Sequence, residues 1–418
     1  MNEEGIEKKQ KERIFFHMDG DAFFVGVEIA KNPKLKGLPV VTGEERGIVS
    51  ALSYEAKALG ITRGMPVFRL KKEFPNVIIL AGDYKSYAEY SSRMFEIVRR
   101  YADDVEEYSI DECFADLTGL DSTLYMSYLQ IAQRIKKEVN SELGLSVSVG
   151  LAPTKVLAKV ASKWVKPDGL TEIRKENAPN FLSKTPIEKI WGLGLQTSTF
   201  LKIKKVFTAL DFINKDLSWV KRNLSAPYET IWYELRGIRI MSINPELKII
   251  YSSIQKTRSF HPSTNEKNFL FSELSKHIED ACRKARHYHL VPKKISFFLK
   301  TTNFKFITFS QKILIPANSP EDYISLAYVW LKNLEKTKTL YRTTGVTLHD
   351  LAYDTFTQAD LFGHGEKIDK LKIIHKQIDK LENKLGKRFV HLGSSHKSLS
   401  REMLGTEPDE IDRNLLFL

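Results

Sequence analysis

Two pairs of carboxylates each lie at the end of an apolar run. In HMDGD, Asp19 and Asp21 stand two positions apart, with a glycine between them. In EYSIDECFADL, Asp111 and Glu112 are adjacent within an apolar and aromatic stretch. An unpaired carboxylate in such surroundings is costly, and neighbouring like charges suppress one another's ionisation. These side chains therefore predict a bound cation.

The ligand types indicate which cation this is. If Ser109 and Ile110 form a hairpin turn, Asp111 and Glu112 lie at its mouth, beside the strand end that carries Asp19. All-oxygen sets favour hard cations, and magnesium prefers one or two carboxylates with waters and substrate phosphates. Two such ions about 3.5–4 Å apart are the arrangement found in polymerases. A capped strand end or a surface turn explains either motif alone, whereas the two together favour a metal site.

Basic side chains that suit phosphate groups follow in two places. In SYEAKALG, Tyr54 and Lys57 share one face of a predicted helix, where a hydroxyl can donate to a phosphate and an ammonium can neutralise it. In TKVLAK, Lys155 and Lys159 lie four positions apart at the start of a second helix, whose N-terminus attracts anions. Taken alone, each set is more often the solvated face of an amphipathic helix.

A different phosphate site is predicted at Gly192 and Gly194, which lie between helical stretches in IWGLGLQTSTFLKIKKV. Backbone N–H groups at a helix start, followed by Lys202, are typical of a helix-hairpin-helix that holds the DNA backbone without reading sequence. An ordinary helix–helix turn is an equally frequent explanation. Basic clusters at 256–258 and 283–289 would let a β-rich region follow phosphates.

The elements that position these residues alternate between strands and helices through about Thr171. Strands are predicted at IFFHMDG, NVIIL and LSVSVGLA, and helices at YKSYAEYSSRMFEIVRRYA, SYLQIAQRIKKEVNSEL and TKVLAKVASKWV. This alternation predicts an α/β-type domain with an inserted subregion. Residues 175–243 are helical and basic, 247–258 have no strong period and form a predicted linker, and 259–352 return to strand patterns. In the tail, an amphipathic helix at 366–385 is expected to pack onto the body.

Composition limits the class of protein. The 418 residues carry 64 Lys and Arg against 52 Asp and Glu, a net charge of +12. This surplus fits a solvated surface as well as it fits a nucleic-acid or anionic-membrane partner. Two cysteines, Cys113 and Cys282, exclude a disulfide framework. The start MNEEGIEKKQKER has no apolar core, and no stretch approaches the roughly 18 apolar residues of a membrane helix. We therefore expect a soluble, cytoplasmic protein without a membrane partner.

Six motifs, in order, resemble those of Y-family translesion DNA polymerases. HMDGDAFF resembles the first catalytic motif, SYEAKALGITRGMP the fingers motif, EEYSIDECFADLTG the SIDE motif and VSVGLAPTKVLAKVASKWVKPDG the lysine motif. IWGLG resembles the thumb's helix-hairpin-helix and YRTTGVTLHDL the end of the little finger, so the match covers about residues 13–352. QADLFG, further on, resembles the sliding-clamp-binding peptide of bacterial polymerases.

The resemblance implies an α+β multidomain fold shaped like a right hand. Its expected parts are a ferredoxin-like palm (1–22 and 83–174), small fingers (23–82), a helical thumb with a helix-hairpin-helix (175–246), a linker (247–258), a β-rich little finger (259–352) and a tail with the clamp-binding peptide (353–418).

The resemblance also implies roles for single residues. Asp19, Asp111 and Glu112 would be catalytic and, with the Gly20 carbonyl, would hold two Mg²⁺ ions, whereas Asp21 is not expected to be a direct ligand. The implied nucleotide contacts are Phe23, Phe24, Tyr54, Lys57 and Lys155, with Phe24 at the position that excludes a ribose 2′-hydroxyl. The implied DNA contacts are Gly192, Gly194 and Lys202, and the implied clamp contacts are Gln358, Asp360, Leu361 and Phe362.

Three positions depart from the family pattern: Lys57 where many members have arginine, Ala51 where many have threonine, and Thr154 where asparagine is common. Lysine keeps the charge but loses the bidentate fork that arginine offers a phosphate. These changes affect the expected nucleotide affinity and lesion preference rather than the reaction class.

The implied function is low-fidelity, template-directed DNA synthesis past damaged bases in DNA damage tolerance. The expected partners of this monomeric, nucleoid-associated enzyme are primer-template DNA, a deoxynucleoside triphosphate and the sliding clamp. Two alternatives remain. A nucleotide cyclase can use a similar palm and two metals but does not need the helix-hairpin-helix or the clamp peptide. A non-catalytic, clamp-recruited DNA-binding protein would not need the full carboxylate set.

Overall fold

A computed structural model of the protein describes residues 13–246, 251–334, 339–354, 364–385 and 388–403. These residues form two compact units, with the division after Leu247. The predicted clamp contacts, residues 358–362, lie outside the described residues. In the described part of the chain, no helix is long and apolar enough to cross a membrane.

The strands are numbered in chain order: β1 Phe15–Gly20, β2 Val40–Thr42, β3 Ala51–Leu52, β4 Ile78–Leu80, β5 Val105–Glu107, β6 Glu112–Asp116, β7 Val147–Ala152, β8 Leu170–Glu172, β9 Ser253–Thr264, β10 Leu290–Thr301, β11 Phe306–Lys312 and β12 Tyr341–Tyr353.

The α-helices are α1 Phe23–Lys31, α2 Tyr54–Ala58, α3 Val67–Glu73, α4 Tyr84–Arg99, α5 Leu120–Leu124, α6 Tyr128–Leu143, α7 Lys155–Ser162, α8 Ala178–Leu182, α9 Leu195–Ile203, α10 Ala209–Ile213, α11 Leu217–Asn223, α12 Ala226–Leu235, α13 Lys267–His287, α14 Pro320–Asn333, α15 His364–Leu385 and α16 His396–Met403.

A five-stranded sheet in the order β5-β6-β1-β7-β8 forms the centre of the first unit. Every residue of β1 is buried because both faces of the sheet are covered. Side chains alternate along a strand, so Phe16 and Met18 pack into the core with α4 and α6, while Phe15 packs with α7 on the opposite face. His17 and Asp19 therefore share the α7 face.

Helix α7 approaches this sheet closely. A Cβ at Gly150 on β7 would lie 2.0 Å from the Ala158 carbonyl oxygen and 2.4 Å from the Ser162 nitrogen, so only glycine fits there. All eight residues of α7 are buried, including its lysines. The close approach brings the polar side of α7 against the end of β1.

Two smaller parts complete the first unit. A three-stranded sheet in the order β3-β2-β4 lies within the region predicted as fingers and shares a small apolar core with Ala56 and Leu70. Helices α8 to α12 surround Trp232 and Phe212, which are fully buried, and occupy the region predicted to be helical.

The second unit contains an antiparallel sheet in the order β11-β10-β12-β9, packed against α13 and α14. Here the predicted linker 247–258 is wrong at its end, because β9 begins at Ser253, which pairs with His349 in an antiparallel ladder that runs back along β12 to Tyr341. Residues 253–258 show no hydrophobic period because the less exposed face of the strand carries Lys256 and Arg258 beside Ile254. The predicted tail helix is confirmed as α15, which packs on α13 through ion pairs such as Arg286–Asp379.

Candidate active site

The carboxylates predicted to hold a cation lie together at one end of the five-stranded sheet. Asp19 stands opposite Glu112 in the β1–β6 register, and the Gly20 N–H donates to the Asp111 carbonyl at 2.8 Å. The Ser109 N–H closes the turn between β5 and β6 by donating to the Glu112 carbonyl at 3.1 Å. The predicted hairpin is thus confirmed, and it brings Asp19, Asp111 and Glu112 to one place.

One carboxylate oxygen of Glu112, Oε2, lies next to two basic side chains. Lys159 Nζ donates to Glu112 Oε2 at 2.5 Å, and His17 Nε2 lies 3.6 Å from the same oxygen. His17 Nδ1 lies 2.7 Å from Ser162 Oγ, which fixes the imidazole ring. Burial alone would raise the pKa of Glu112, but His17 and Lys159 lower it to about 2. Glu112 is therefore ionised at neutral pH, and both basic partners engage the same oxygen, Oε2.

The surroundings of Asp111 shift its pKa in the opposite direction to that of Glu112. Burial, together with the nearby carboxylates of Asp19 and Glu112, raises the pKa of Asp111, even though Ser109 Oγ donates to Asp111 Oδ1 at 2.7 Å. The site thus holds more negative charge than its basic partners neutralise. A cation beside Asp111 would relieve this excess.

Lys166 joins the site from the KPDG turn after α7. Its Nζ contacts Asp19 Oδ1 and lies 3.5 Å from Asp21 Oδ1. Lys166 was not among the predicted site residues, although it lies inside the stretch VSVGLAPTKVLAKVASKWVKPDG that resembles the lysine motif. Its place in that motif was the available signal.

Asp21 is held by the protein itself. Ser146 Oγ and Ser148 Oγ donate to its two oxygens at 2.7 and 2.8 Å, and the Asp168 N–H donates at 2.8 Å. With both oxygens engaged, Asp21 ties β7 and the KPDG turn to the end of β1. This agrees with the expectation that Asp21 is not a direct metal ligand.

The donor set fits a hard divalent cation chemically. Asp19, Asp111, Glu112 and the Gly20 carbonyl offer oxygen ligands only. Among the described residues, no group of three His, Cys, Asp or Glu side chains is arranged to hold an ion. Lysine ammonium groups contact Asp19 and Glu112 instead, so metal binding requires these carboxylates to close around the ion.

Of the predicted nucleotide contacts, Tyr54 lies nearest to this cluster in the described interactions. Burial, followed by the carboxylates of Asp21 and Asp19, raises the pKa of Tyr54, which places the phenol beside them. Lys57 Nζ lies 5.8 Å from the centre of the Tyr54 ring and is exposed. Phe23 is buried in the core behind β1, whereas Phe24, on α1, is half-buried.

Lys155, a further predicted nucleotide contact, is paired with Glu106. Its Nζ donates to both oxygens of Glu106 at 2.7 and 2.6 Å and to the Ser242 carbonyl at 3.3 Å. It is buried, one helical turn before Lys159. The described contacts therefore connect Lys155 to Glu106 and Ser242, while Lys159 and Lys166 reach Glu112 and Asp19, which are predicted to be catalytic. The predicted nucleotide contact of Lys155 stays a prediction.

The predicted helix-hairpin-helix loop is present as a turn before α9. Gly192 has a φ of +88°, and a Cβ there would lie 2.7 Å from Ile231 Cδ1, so glycine is required. Gly194 is the N-cap of α9 and has open space around it. Lys202 pairs with Glu188 at 2.9 Å, and both side chains are exposed. The turn presents the backbone of a helix start to solvent, as a phosphate contact needs.

Two family models match the chain. The impB/mucB/samB family model matches residues 18–163, and the model of that family's C-terminal domain matches residues 251–361. DNA polymerase IV 1 of Bacillus subtilis (strain 168) is 31% identical over 406 residues, which cover 95% of this chain and 96% of that protein. DNA polymerase IV of Ureaplasma parvum is 29% identical over 363 residues, with coverages of 85% and 99%.

Solved structures share the fold. A Y-family DNA polymerase chimera aligns with a TM-score of 0.68 and 23% identity, covering 81% of this chain and 99% of that one. DinB from Sulfolobus solfataricus aligns with a TM-score of 0.50 and 24% identity, with coverages of 80% and 98%. Together with the DNA polymerase IV relatives, this shared fold defines the class as a polymerase with a palm-like sheet and a separate β-rich unit.

The chain belongs to the impB/mucB/samB family, that of the Y-family DNA polymerases. It is accordingly a DNA-directed DNA polymerase, and the resemblance seen in the sequence motifs is confirmed.

Proposed function

We propose that the protein is a low-fidelity translesion polymerase that adds deoxynucleotides to a primer 3′-hydroxyl with release of pyrophosphate, in DNA damage tolerance. The observation that carries this proposal is the meeting of Asp19, Asp111 and Glu112 at one end of β1 and β6. Because β1 and the β5–β6 hairpin belong to one sheet, they place the backbones of these residues together before substrate arrives, whereas the side chains of Asp19 and Glu112 must still turn from their lysine partners toward a metal.

Two magnesium ions held by Asp19, Asp111, Glu112 and the Gly20 carbonyl would activate the primer hydroxyl and neutralise the leaving pyrophosphate. Lys159 engages Oε2 of Glu112, so Oε1 is the oxygen that would be available to an ion. Asp111 is buried beside the carboxylates of Asp19 and Glu112, and an ion there would supply compensating positive charge. With a metal bound, Asp19 would exchange its contact with Lys166 for that ion, which would leave the ammonium available for a phosphate.

In this proposal, side chains of α1 and α2 bind and select the nucleotide. The Tyr54 hydroxyl stays protonated because its pKa is raised, so it donates a hydrogen bond to a phosphate oxygen. Lys57, exposed on the same helix, supplies charge but not the bidentate geometry of arginine. Phe24 would lie against the sugar and exclude a 2′-hydroxyl.

The proposed partners are primer-template DNA, held at the backbone by the Gly192–Gly194 turn and Lys202, and a sliding clamp, bound through Gln358, Asp360, Leu361 and Phe362. The chain's charge of +12 supports a polyanionic partner. We place the monomeric enzyme in the cytoplasm with the nucleoid.

Primer extension tests the proposal. The protein, with magnesium and deoxynucleoside triphosphates, should extend a primer on undamaged template and across a set of defined lesions, and clamp should increase product length. Asp111→Asn should lower the rate by about 10²–10³-fold or more, as does the loss of a preorganised charge.

Asp116→Asn is the matched control, because Asp116 lies at the other end of β6 and pairs with Arg13 at 2.6 Å. It should extend primers at the parental rate. Equal, negligible extension by parent and Asp111→Asn would favour the non-catalytic alternative, and cyclic-nucleotide formation would favour a cyclase.

A further inference from the structure

Three aromatic rings from the palm and thumb meet at the back of the active site. Tyr108 and Phe114 belong to the β5–β6 hairpin, and Trp191 belongs to the thumb. Trp191 Nε1 donates to the Tyr108 hydroxyl at 2.9 Å, and its ring stacks on Phe114 with centroids 5.5 Å apart. The Tyr108 and Phe114 rings meet edge to face at 5.9 Å. We define these three rings as the aromatic cage.

The cage encloses the ammonium of Lys159. Lys159 Nζ lies 4.2 Å from the centre of the Tyr108 ring, 4.9 Å from that of Trp191 and 6.0 Å from that of Phe114. Aromatic faces attract cations at these distances, more strongly when the cation is desolvated, and Lys159 is buried. The same ammonium donates to Glu112 Oε2 at 2.5 Å. Lys159 therefore connects the cage to the carboxylate.

Trp191 is the cage member whose position depends on the thumb. It directly precedes Gly192, whose positive φ and contact with Ile231 on α12 fix the path of the turn. The turn is the same one that presents the start of α9 to solvent. A single side chain thus connects the predicted DNA-binding turn with Lys159, and through Lys159 with Glu112.

We propose that Trp191 is a positioning residue of the active site: it holds Lys159 against Glu112 Oε2, so that the thumb turn sets the orientation of a catalytic carboxylate. In this proposal Trp191 acts on Glu112 through Lys159, the cation against its ring. The kinetic consequence rests on the proposed polymerase function, whereas the contact between Trp191 and Lys159 does not.

Lysine footprinting tests the contact in protein without metal or DNA. An amine-acetylating reagent is applied to the full-length chain, and the rate at each lysine is followed by mass spectrometry. Trp191→Leu should raise the acetylation rate of Lys159 by about fivefold, since one cation–π contact is lost. Trp191→Phe, which keeps a ring, should stay within about twofold of the parent.

Lys136 is the internal control, because it is buried and donates to the carbonyls of Asp168 and Gly169 at 2.5 and 2.9 Å, outside the cage. Its rate should not change in either variant. An unchanged rate at Lys159 in Trp191→Leu overturns the proposal. An equal rise at Lys159 and Lys136 also overturns it, because Trp191 would then serve only general packing.

Single-nucleotide primer extension tests the consequence. Trp191→Leu should lower kcat by about tenfold with KM for the nucleotide within about twofold, because a misplaced catalytic group costs rate rather than binding. Trp219→Leu is the matched control, a half-buried thumb tryptophan whose neighbouring cation is Lys215 at 5.5 Å, and it should keep the parental kcat.

Combination with Lys159→Met decides whether Trp191 acts through Lys159. The double variant should be no slower than Lys159→Met alone, because both changes remove the same connection. Additive losses would show that Trp191 acts on the reaction by another route and would overturn the proposal. If the parent does not extend primers, the proposed function is refuted. The footprinting result would still decide whether Trp191 contacts Lys159.

Discussion

Phe24 stacks on Tyr87 with ring centroids 4.5 Å apart and planes inclined by 13°. The Tyr87 hydroxyl donates to Glu28 Oε1 at 2.8 Å, which joins α4 to α1 and fixes the lower ring of the stack. Tyr84 meets Phe24 edge to face at 5.9 Å. The Phe24 ring is therefore supported on its inner side and presents a fixed surface, as a group that excludes a hydroxyl by contact must.

Replacement of Phe24 with alanine should raise ribonucleotide incorporation relative to deoxynucleotide incorporation by roughly 10²-fold, because the alanine leaves room for a 2′-hydroxyl. The measurement is the ratio of kcat/KM for the two nucleotides. Tyr87→Phe is the control, since it keeps the stacked ring and removes only the hydroxyl, and it should keep the parental ratio. Unchanged sugar selectivity in Phe24→Ala would refute the role of this ring.

Lys166 should bind the triphosphate more strongly than Lys155 does. Lys166 Nζ contacts Asp19, a carboxylate proposed to hold the metal, and is partly exposed, whereas Lys155 is buried and paired with Glu106. Lys166→Met should raise KM for the nucleotide by about tenfold or more, the value of a charge-assisted hydrogen bond. Lys155→Met should mainly lower the thermal midpoint, since it leaves Glu106 without its ammonium partner. Steady-state kinetics and thermal unfolding of both variants measure this, and a larger KM effect in Lys155→Met would reverse the assignment.

The sequence alone predicted which carboxylates meet, because their geometry depends on local rules. A strand end at Asp19 and a tight hairpin before Glu112 each follow from neighbouring residues, and the helix at 366–385 follows from its own amphipathic period. These features need no knowledge of distant packing.

The lysine partners could not be predicted in the same way. Lys159 reaches Glu112 because Gly150 lets α7 approach the sheet, and Lys166 reaches Asp19 across 147 positions of sequence. Such pairs depend on the distance between the packed helix and sheet. The spacing of apolar residues along the sequence does not give that distance. The role of His17 was not predicted for a related reason. It depends on Ser162 and Glu112, which are distant in sequence and lie beside the two ring nitrogens only in the folded protein.

His277 should make the second unit sensitive to acid. It is fully buried on α13, its Nε2 has no hydrogen-bond partner among the described residues, and burial lowers its pKa to about 4. The charged groups around it are Glu273, Lys276, Asp280 and Arg258. The unfolded chain takes up a proton near pH 6.5 and the folded chain only near 4, so stability falls as the pH drops between these values.

From pH 7.5 to 5.0 this histidine should cost roughly 2 kcal/mol of unfolding free energy, measured by urea denaturation. His277→Gln removes the titration, so its loss over the same range should be smaller by that amount. His287→Gln, an exposed position at the end of the same helix, should keep the parental pH dependence. Identical pH profiles for the parent and His277→Gln would contradict the prediction.

The tail helix α15 should depend on Asp379 for its position. Arg286 donates to both oxygens of Asp379 at 2.7 and 2.8 Å and to the Asn318 carbonyl at 2.9 Å, so one guanidinium joins α13, α15 and the start of α14. Asp379→Asn should weaken docking of α15 by about 2 kcal/mol, the value of hydrogen bonds to a charged group. Hydrogen–deuterium exchange should show faster exchange along α15, with α13 and the β10–β12 ladder unchanged. Lys376→Gln, an exposed change on the same helix, should leave exchange as in the parent; equal exchange in Asp379→Asn would mean that apolar contacts alone hold the tail.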